Sequence, residues 1–134
     1  MAAWLPLRDS GAVVSHESAL ELQELSDVIP DAVHLSLSRA ERGQRRRAGV
    51  RLHTLNQPPT KAEIRDFAGL PVTSPERTIV DVLETGAQPE QIEMAIYQAL
   101  ERGLTTPRRL RAAAAPRSAR VCNFIERRLE EVPA

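Results

Sequence analysis

The stretch LPVTSPERTIVDVLE, residues 70–84, holds the densest group of side chains that could do chemistry. Its candidates are Ser74, Glu76, Arg77 and Asp81. A serine nucleophile would need a histidine or lysine base and an oxyanion hole to carry out acyl transfer or hydrolysis. The neighbouring sequence supplies no base and no G-x-S-x-G turn. The alternative role of the stretch is structural, as the point where a strand becomes a helix.

The same residue types suit the first turn of a helix. The Ser74 oxygen can accept a hydrogen bond from a backbone N–H that lacks a helical partner, and Pro75 loses nothing at the first helical position. Glu76 adds negative charge to the first turn and, counted from Thr73, completes a T-x-x-E capping box. We therefore predict a strand-to-helix junction in which Ser74, Pro75 and Glu76 have structural roles.

Asp81 stands between two apolar pairs, Ile-Val before it and Val-Leu after it. This pattern predicts a helix that is buried on most sides, where a carboxylate must find a partner. Arg77 lies one helical turn earlier and can pair with it. We predict that Asp81 forms a structural ion pair or caps another element. Catalysis would require a second carboxylate or a set of metal ligands, which the sequence does not show.

The composition favours one ordinary globular domain. The chain has 134 residues, 42% of them hydrophobic, and 18 basic residues balance 18 acidic ones, so no bulk charge attracts it to nucleic acid or membrane. No apolar run approaches the roughly 20 residues of a membrane span. The single Cys122 cannot form an internal disulfide, which predicts a cytoplasmic location. We predict a leader or linker remnant in residues 1–14 and a single domain over residues 15–134, without cofactor or metal.

The arginines form two clusters, although their abundance also fits a GC-rich genome. Their members are Arg45, Arg46, Arg47 and Arg51 in the first cluster, and Arg108, Arg109 and Arg111 in the second. They are either solvated surface or contacts to phosphates or to an acidic partner surface. No aromatic residues are interleaved with them, which disfavours a platform for stacking single-stranded bases. His16, His34 and His53 lack metal-ligand spacing.

The periodicity predicts elements that would position these residues. Ser15 is placed to cap a helix over residues 16–25. DAVHLSLS and GVRLHTL alternate as strands and, if paired as a hairpin, place His34 and His53 on one exposed face. IRDF and LPVT flank a tight turn at Ala68-Gly69. The segments SPERTIVDVLE, PEQIEMAIYQALERG, TPRRLRAAAA and RSARVCNFIERRLEEV follow as helices. The prediction is an α+β fold, with a small antiparallel sheet of about four strands packed with an N-terminal helix and a C-terminal run of about four helices.

Four of these segments occur in the order found in a known family. VVSHESAL opens a helix, VHLSL forms a strand, RRRAGVRLH follows a basic loop, and GLPVTSPERTIVDVL passes into a helix. With ALERGLTTPRRL further on, they resemble the AbiEi-type antitoxins of type IV toxin–antitoxin modules over residues 10–112.

The resemblance implies a regulatory function. Members of that family have an N-terminal winged helix-turn-helix that binds the module's promoter, and a C-terminal domain that counteracts a nucleotidyltransferase toxin without needing a stable complex with it. The matched segments belong to the C-terminal domain, and the 14 residues before Ser15 are too few for a winged helix. The resemblance therefore implies a bacterial antitoxin or transcriptional-regulator domain without enzyme activity, and with weak DNA binding at most.

Two hypotheses from other classes stay open. The arginine clusters could serve a weak nucleic-acid-binding or protein-interaction module, although zero net charge argues against tight binding to a duplex. A small metal-dependent nuclease would need clustered carboxylates and a lysine near a strand end. Asp66 and Asp81 would have to serve as the carboxylates, but the single lysine, Lys61, lies in a proline-rich connector.

Overall fold

The computed structural model describes residues 13–25, 33–38, 50–55, 59–67 and 69–131. Its elements, in chain order, are β1 (Val13–Val14), α1 (His16–Leu22), β2 (Val33–Ser38), β3 (Val50–Leu55), a 3₁₀ turn (Lys61–Glu63), β4 (Ile64–Phe67), β5 (Leu70–Thr73), α2 (Pro75–Thr85), α3 (Pro89–Glu101), α4 (Pro107–Ala114) and α5 (Ala119–Glu131). The predicted α+β fold is confirmed, with one helix near the N-terminus and four after the last described strand.

The sheet differs from the predicted one in strand number and direction. Within the described ranges it has five strands in the order β3-β2-β1-β5-β4. The β1–β2 and β4–β5 pairs are antiparallel, whereas β1–β5 and β2–β3 are parallel. The sheet is small, as predicted, with five described strands where about four were expected, but the prediction that all of them are antiparallel is wrong. Strand β1, with only two residues, is too short to give an alternation signal, yet it joins the two halves of the sheet.

Strands β2 and β3 do not pair as a hairpin, the arrangement that the sequence left open. The two strands run parallel, with Val33 opposite Val50 and Ser38 opposite Leu55. Alternation of apolar residues reports which face a strand buries, but it carries no information about direction. Parallel neighbours need a crossover longer than a tight turn, and residues 39–49 separate the two strands.

The histidines of these two strands are not paired with each other. The register places His34 opposite Arg51 and His53 opposite Ser36. The side chains of β2 and β3 lie outside the described part of the chain. The exposed face that a hairpin would give to both histidines therefore lies outside it too.

The hairpin of β4 and β5 forms where the sequence predicts it. Phe67 pairs with Leu70 across the turn, and Gly69 has a φ of 83°. The Gly69 backbone N–H donates to Asp66 Oδ1 at 2.9 Å, so this carboxylate stabilises the turn. Ala68 itself lies outside the described residues.

Helix α1 is shorter than predicted and begins differently. It ends at Leu22 and not at residue 25. Ser15 occupies the N-cap position, but its hydroxyl makes no capping hydrogen bond to the helix and lies 2.7 Å from His16 Nδ1. His16 has a φ of 53°, which is left-handed, so the first turn departs from regular helical geometry.

Helix α2 lies at the centre of the core, as the apolar residues around Asp81 predict. The predicted buried stripes of α3 and α5 are also confirmed. The core cluster consists of Leu20, Leu25, Ile79, Val80, Val82, Leu83, Ile92, Ala95, Ile96, Ala99, Leu110, Ala114, Val121, Ile125 and Leu129. The polar residues of the opening stretch are therefore held on an element that packs against helices on several sides.

We expect Gly86→Ala to lower the free energy of unfolding by about 1 kcal/mol. Gly86 ends α2 with a left-handed φ of 86°, and an added Cβ would meet nothing within 4 Å, so the cost comes from the backbone alone. Gly86→Asn should cost less, because asparagine tolerates this conformation. Denaturant unfolding measures both values. An alanine variant as stable as the wild type would contradict the prediction.

Candidate functional site

The junction of β5 and α2 buries the candidate nucleophile. Ser74 is 0% exposed, has a β-region ψ of 158° and accepts a hydrogen bond from the Arg77 backbone N–H at 3.3 Å. Pro75 follows at the first helical position. A hydroxyl that is enclosed in this way and bonded to the helix N-terminus is placed to cap the helix and is closed to a substrate.

The predicted capping box between Thr73 and Glu76 does not form, because the N-cap is Ser74. The Thr73 hydroxyl instead lies 2.6 Å from the Thr78 hydroxyl, which also donates to the Ser74 carbonyl at 2.7 Å. Glu76 Oε1 lies 3.8 Å from an Arg65 nitrogen. A capping interaction of the same kind occurs earlier, at the 3₁₀ turn Lys61–Glu63, whose Glu63 side chain accepts from the Thr60 backbone N–H at 2.9 Å.

Asp81 is enclosed by two arginines. It is 2% exposed, and its carboxylate accepts from Arg77 Nε at 3.1 and 3.2 Å and from Arg117 Nη2 at 2.8 Å. Arg77 also reaches Glu63 Oε1 through Nη1 at 3.3 Å. We call these four residues, Glu63, Arg77, Asp81 and Arg117, the Asp81 network. It ties α2 to the 3₁₀ turn and to the segment between α4 and α5.

Burial raises the pKa of the Asp81 carboxyl above its ordinary value, and the attraction of Arg77 and Arg117 opposes this rise without cancelling it. A carboxyl with a raised folded pKa stabilises the fold fully below its unfolded pKa, and this contribution is lost as the pH rises through the folded pKa. The ionised carboxylate is therefore held at a net cost of desolvation. A network of this kind is weak evidence of added stability, although removing one buried member is costly.

A cleft of about 350 Å³ lies over the network. Its lining residues are Thr60, Glu63, Arg77, Ala112, Ala113, Pro116 and Arg117. Two guanidiniums and two carboxylates balance in charge beneath it, so the network gives the cleft no excess of either sign. Among the described residues, no group of three His, Cys, Asp or Glu side chains could hold a metal ion.

The two carboxylates that a nuclease would use, Asp66 and Asp81, are engaged in different parts of the fold. Asp66 is engaged in the β4–β5 turn, and Asp81 is covered by its two guanidiniums. Lys61 lies in the 3₁₀ turn that precedes β4. The geometry of the described part therefore does not form the cluster of carboxylates and lysine that such chemistry needs.

The second arginine cluster lies in α4. Arg108 and Arg109 are exposed, and in the described part of the chain neither guanidinium has an ion-pair partner. Arg111 differs, because its Nε and Nη2 atoms lie 3.0 Å from Glu126 Oε1, and hydrogen bonds to Glu126 raise the pKa of the Arg111 guanidinium. Thr106 caps the helix by accepting from the Arg109 backbone N–H.

The first arginine cluster is described only in part. Arg45, Arg46 and Arg47 lie outside the described residues. Arg51 belongs to β3, opposite His34, and its side chain is likewise outside the described part. The structure therefore does not bring the two clusters into one described surface.

The Asp81 network contains two residues that sequence reasoning missed. Arg117 is 36 positions from Asp81, and Glu63 is 14 positions from Arg77. Helical spacing finds a partner one turn away but carries no signal for a partner on another element. The one available signal was that a buried carboxylate in an apolar helix commonly needs more than one donor.

No family model matches this chain, and no curated protein matches it. In the described part of the chain, the helices are too short or too polar to cross a membrane. The described geometry therefore defines a fold class only: the chain forms an α+β domain with an ion network around the buried Asp81.

Asp81→Ala is expected to lower the free energy of unfolding by about 3–5 kcal/mol, because it takes the shared carboxylate from the buried Arg77 guanidinium and the partly buried Arg117 guanidinium. Ser74→Ala should cost about 1 kcal/mol for the lost cap. Denaturant and thermal unfolding of both variants measure these losses. An Asp81→Ala protein with unchanged melting but abolished activity would show that Asp81 has a direct function.

Asp81→Asn is the matched control, because it keeps the shape and one acceptor oxygen while removing the charge. We expect it to destabilise the protein less than Asp81→Ala does. Since burial raises the pKa of Asp81, the stability of the Asn variant relative to wild type should improve as the pH rises through the folded pKa. A pH-independent difference between the two proteins would contradict this assignment.

Proposed function

We propose that this chain is a non-enzymatic antitoxin-type domain that counteracts a nucleotidyltransferase toxin. The observation that carries the proposal is that the potentially reactive side chains of the Ser74–Asp81 segment are bonded within the fold. Ser74 accepts from the helix N-terminus, and Asp81 is bonded to two guanidiniums. Side chains whose hydrogen bonds are all made within the fold stabilise it and are not free to react with a substrate. Any function of the segment is then carried by other, exposed residues. This supports the regulatory function that the family resemblance implies.

The proposal assigns the Asp81 network a supporting role. It holds the 3₁₀ turn, α2 and the α4–α5 segment in one arrangement, and the exposed faces of the C-terminal helices are then presented to the toxin or to what the toxin acts upon. The relation to the toxin is functional and does not require a stable complex. The proposed location of the domain is the cytoplasm, in agreement with its single cysteine.

Co-expression with a neighbouring nucleotidyltransferase-like gene tests this function. We expect the wild-type chain to relieve the growth arrest that this gene causes. Asp81→Ala is expected to fail where it is unfolded and to regain activity at a lower temperature where it folds, because its defect is structural. Continued arrest in the presence of folded wild-type chain, verified by circular dichroism of the purified protein, would overturn the antitoxin proposal.

A second candidate function is weak binding to nucleic acid. The observation that favours it is the pair of exposed arginines, Arg108 and Arg109, which lack ion-pair partners among the described residues. Positive charge in the first turn of a helix opposes the helix dipole, so these residues do not serve helix stability there. Phosphate contacts would use them, and the antitoxin proposal does not exclude such contacts.

We expect this binding to be weak, sensitive to salt and independent of DNA sequence. Replacing both Arg108 and Arg109 with alanine should make the slope of log K against log salt concentration less negative by about two. Each phosphate contact contributes about −0.9 to this slope. Arg111→Ala is the matched control, because Arg111 is already paired with Glu126. Fluorescence anisotropy with duplexes of two sequences measures the slopes. Binding that persists at high salt, or that selects one sequence, would contradict the prediction.

A further inference from the structure

The outer surface of α3 exposes large side chains that the fold does not use. Tyr97 is 58% exposed and Met94 is 38% exposed. They are three positions apart and therefore lie on the same side of the helix. Tyrosine is costly to leave in water as a large apolar ring, and it is enriched at binding surfaces because one end is apolar and the other polar.

A groove of about 550 Å³ runs beside Tyr97, between α3 and α5. Its lining residues are Glu93, Ile96, Tyr97, Leu100, Glu101, Arg128 and Glu131. Ile96 and Leu100 form its apolar floor, and the charged side chains form its rim. We call it the α3–α5 groove. An apolar floor with a charged rim is the usual layout of a surface that binds another protein.

Arg128 holds the two walls of the groove in place. Its Nη2 lies 2.7 Å from Glu93 Oε1 on α3, and its Nη1 lies 3.7 Å from Glu131 Oε1 on its own helix. The guanidinium also stacks on the Phe124 ring at 4.5 Å from the centroid. The groove is therefore preformed, which reduces the entropy that a ligand must lose on binding.

The rim of the groove is acidic. Glu93, Glu101 and Glu131 face one arginine, Arg128, which leaves two negative charges in excess. Helix α3 contains no basic residue, and Arg102 after it donates to the Gln23 and Glu24 carbonyls. In a chain of zero net charge, this is a local concentration of acid around exposed apolar surface. Phosphates of nucleic acid or of an anionic membrane would be repelled.

We propose that the α3–α5 groove binds a basic amphipathic helix of a partner protein. Lysine or arginine side chains on the edges of that helix would pair with Glu101 and Glu131, and its leucine or methionine side chains would lie on Tyr97 and the floor. Helices of this kind bind grooves through apolar anchors at i, i+3, i+4 and i+7, and the charges set the partner's identity and orientation. The inference stands on the groove itself and does not depend on the antitoxin proposal.

The test uses the full chain and a synthetic helix. The probe has two repeats of Leu-Lys-Lys-Leu-Leu-Lys-Leu, and its acidic analogue has Glu in place of Lys. We expect the basic peptide to bind and the acidic one not to bind. Tyr97→Ala and Glu101→Lys should each weaken binding about tenfold, as central aromatic and charged contacts do. Fluorescence anisotropy gives the affinities, and ¹⁵N chemical shifts should move at Ile96, Tyr97, Leu100 and Arg128.

Glu84→Lys is the matched control for charge. Glu84 is an exposed glutamate at the end of α2 with a loose 3.9 Å contact to Arg120, and it does not line the groove. If Glu84→Lys weakens binding as much as Glu101→Lys does, the peptide responds to the overall negative charge of the protein and not to the groove. That result would overturn the proposal. Equal binding of the acidic peptide would do the same. Self-association detected by ultracentrifugation, and abolished by Tyr97→Ala, would assign the groove to a second copy and also overturn it.

Discussion

The fold depends on the carboxylate of Asp81 being shared by two arginines. One of them, Arg77, is on the same helix, and the other, Arg117, comes from the connection between α4 and α5. A buried charge cannot be left without a partner, so the burial of Asp81 and Arg77 requires that they meet, and the partly buried Arg117 completes the set. The central helix can thus be apolar on most sides and still specify where its neighbours go. Burial raises the pKa of the carboxyl even so, because the two guanidiniums do not fully offset the loss of hydration.

The chain separates its charges while its total remains zero. The Asp81 network balances two guanidiniums with two carboxylates, α4 exposes Arg108 and Arg109, and glutamates line the α3–α5 groove. Net charge describes the solution behaviour of a protein but not the field at any one surface. A neutral sequence of this kind is compatible with two surfaces of opposite sign on different helices.

Local sequence signals predicted the local structure well. Ser74 and Pro75 mark the start of α2, Gly69 marks the turn of the β4–β5 hairpin, and the apolar stripes mark the buried faces of α3 and α5. The failures concern relations between distant segments. The alternation in β2 and β3 is the same for either strand direction, and the partnership of Asp81 with Arg117 spans 36 positions. The two residues of β1 are too few for any period to appear.

Strand β1 has a consequence for the order in which the sheet can assemble. It lies between β2 and β5, and its Val14 pairs with Val72, which is synthesised 58 residues later. The pairing of β1 with β5 at the centre of the sheet therefore joins the earliest described residues to a strand made much later. The β4–β5 hairpin can form before this pairing because its contacts are local. Closing such a long loop is slow relative to forming a hairpin. During synthesis, the two halves of the sheet can join only after β5 has been made and has paired with β1.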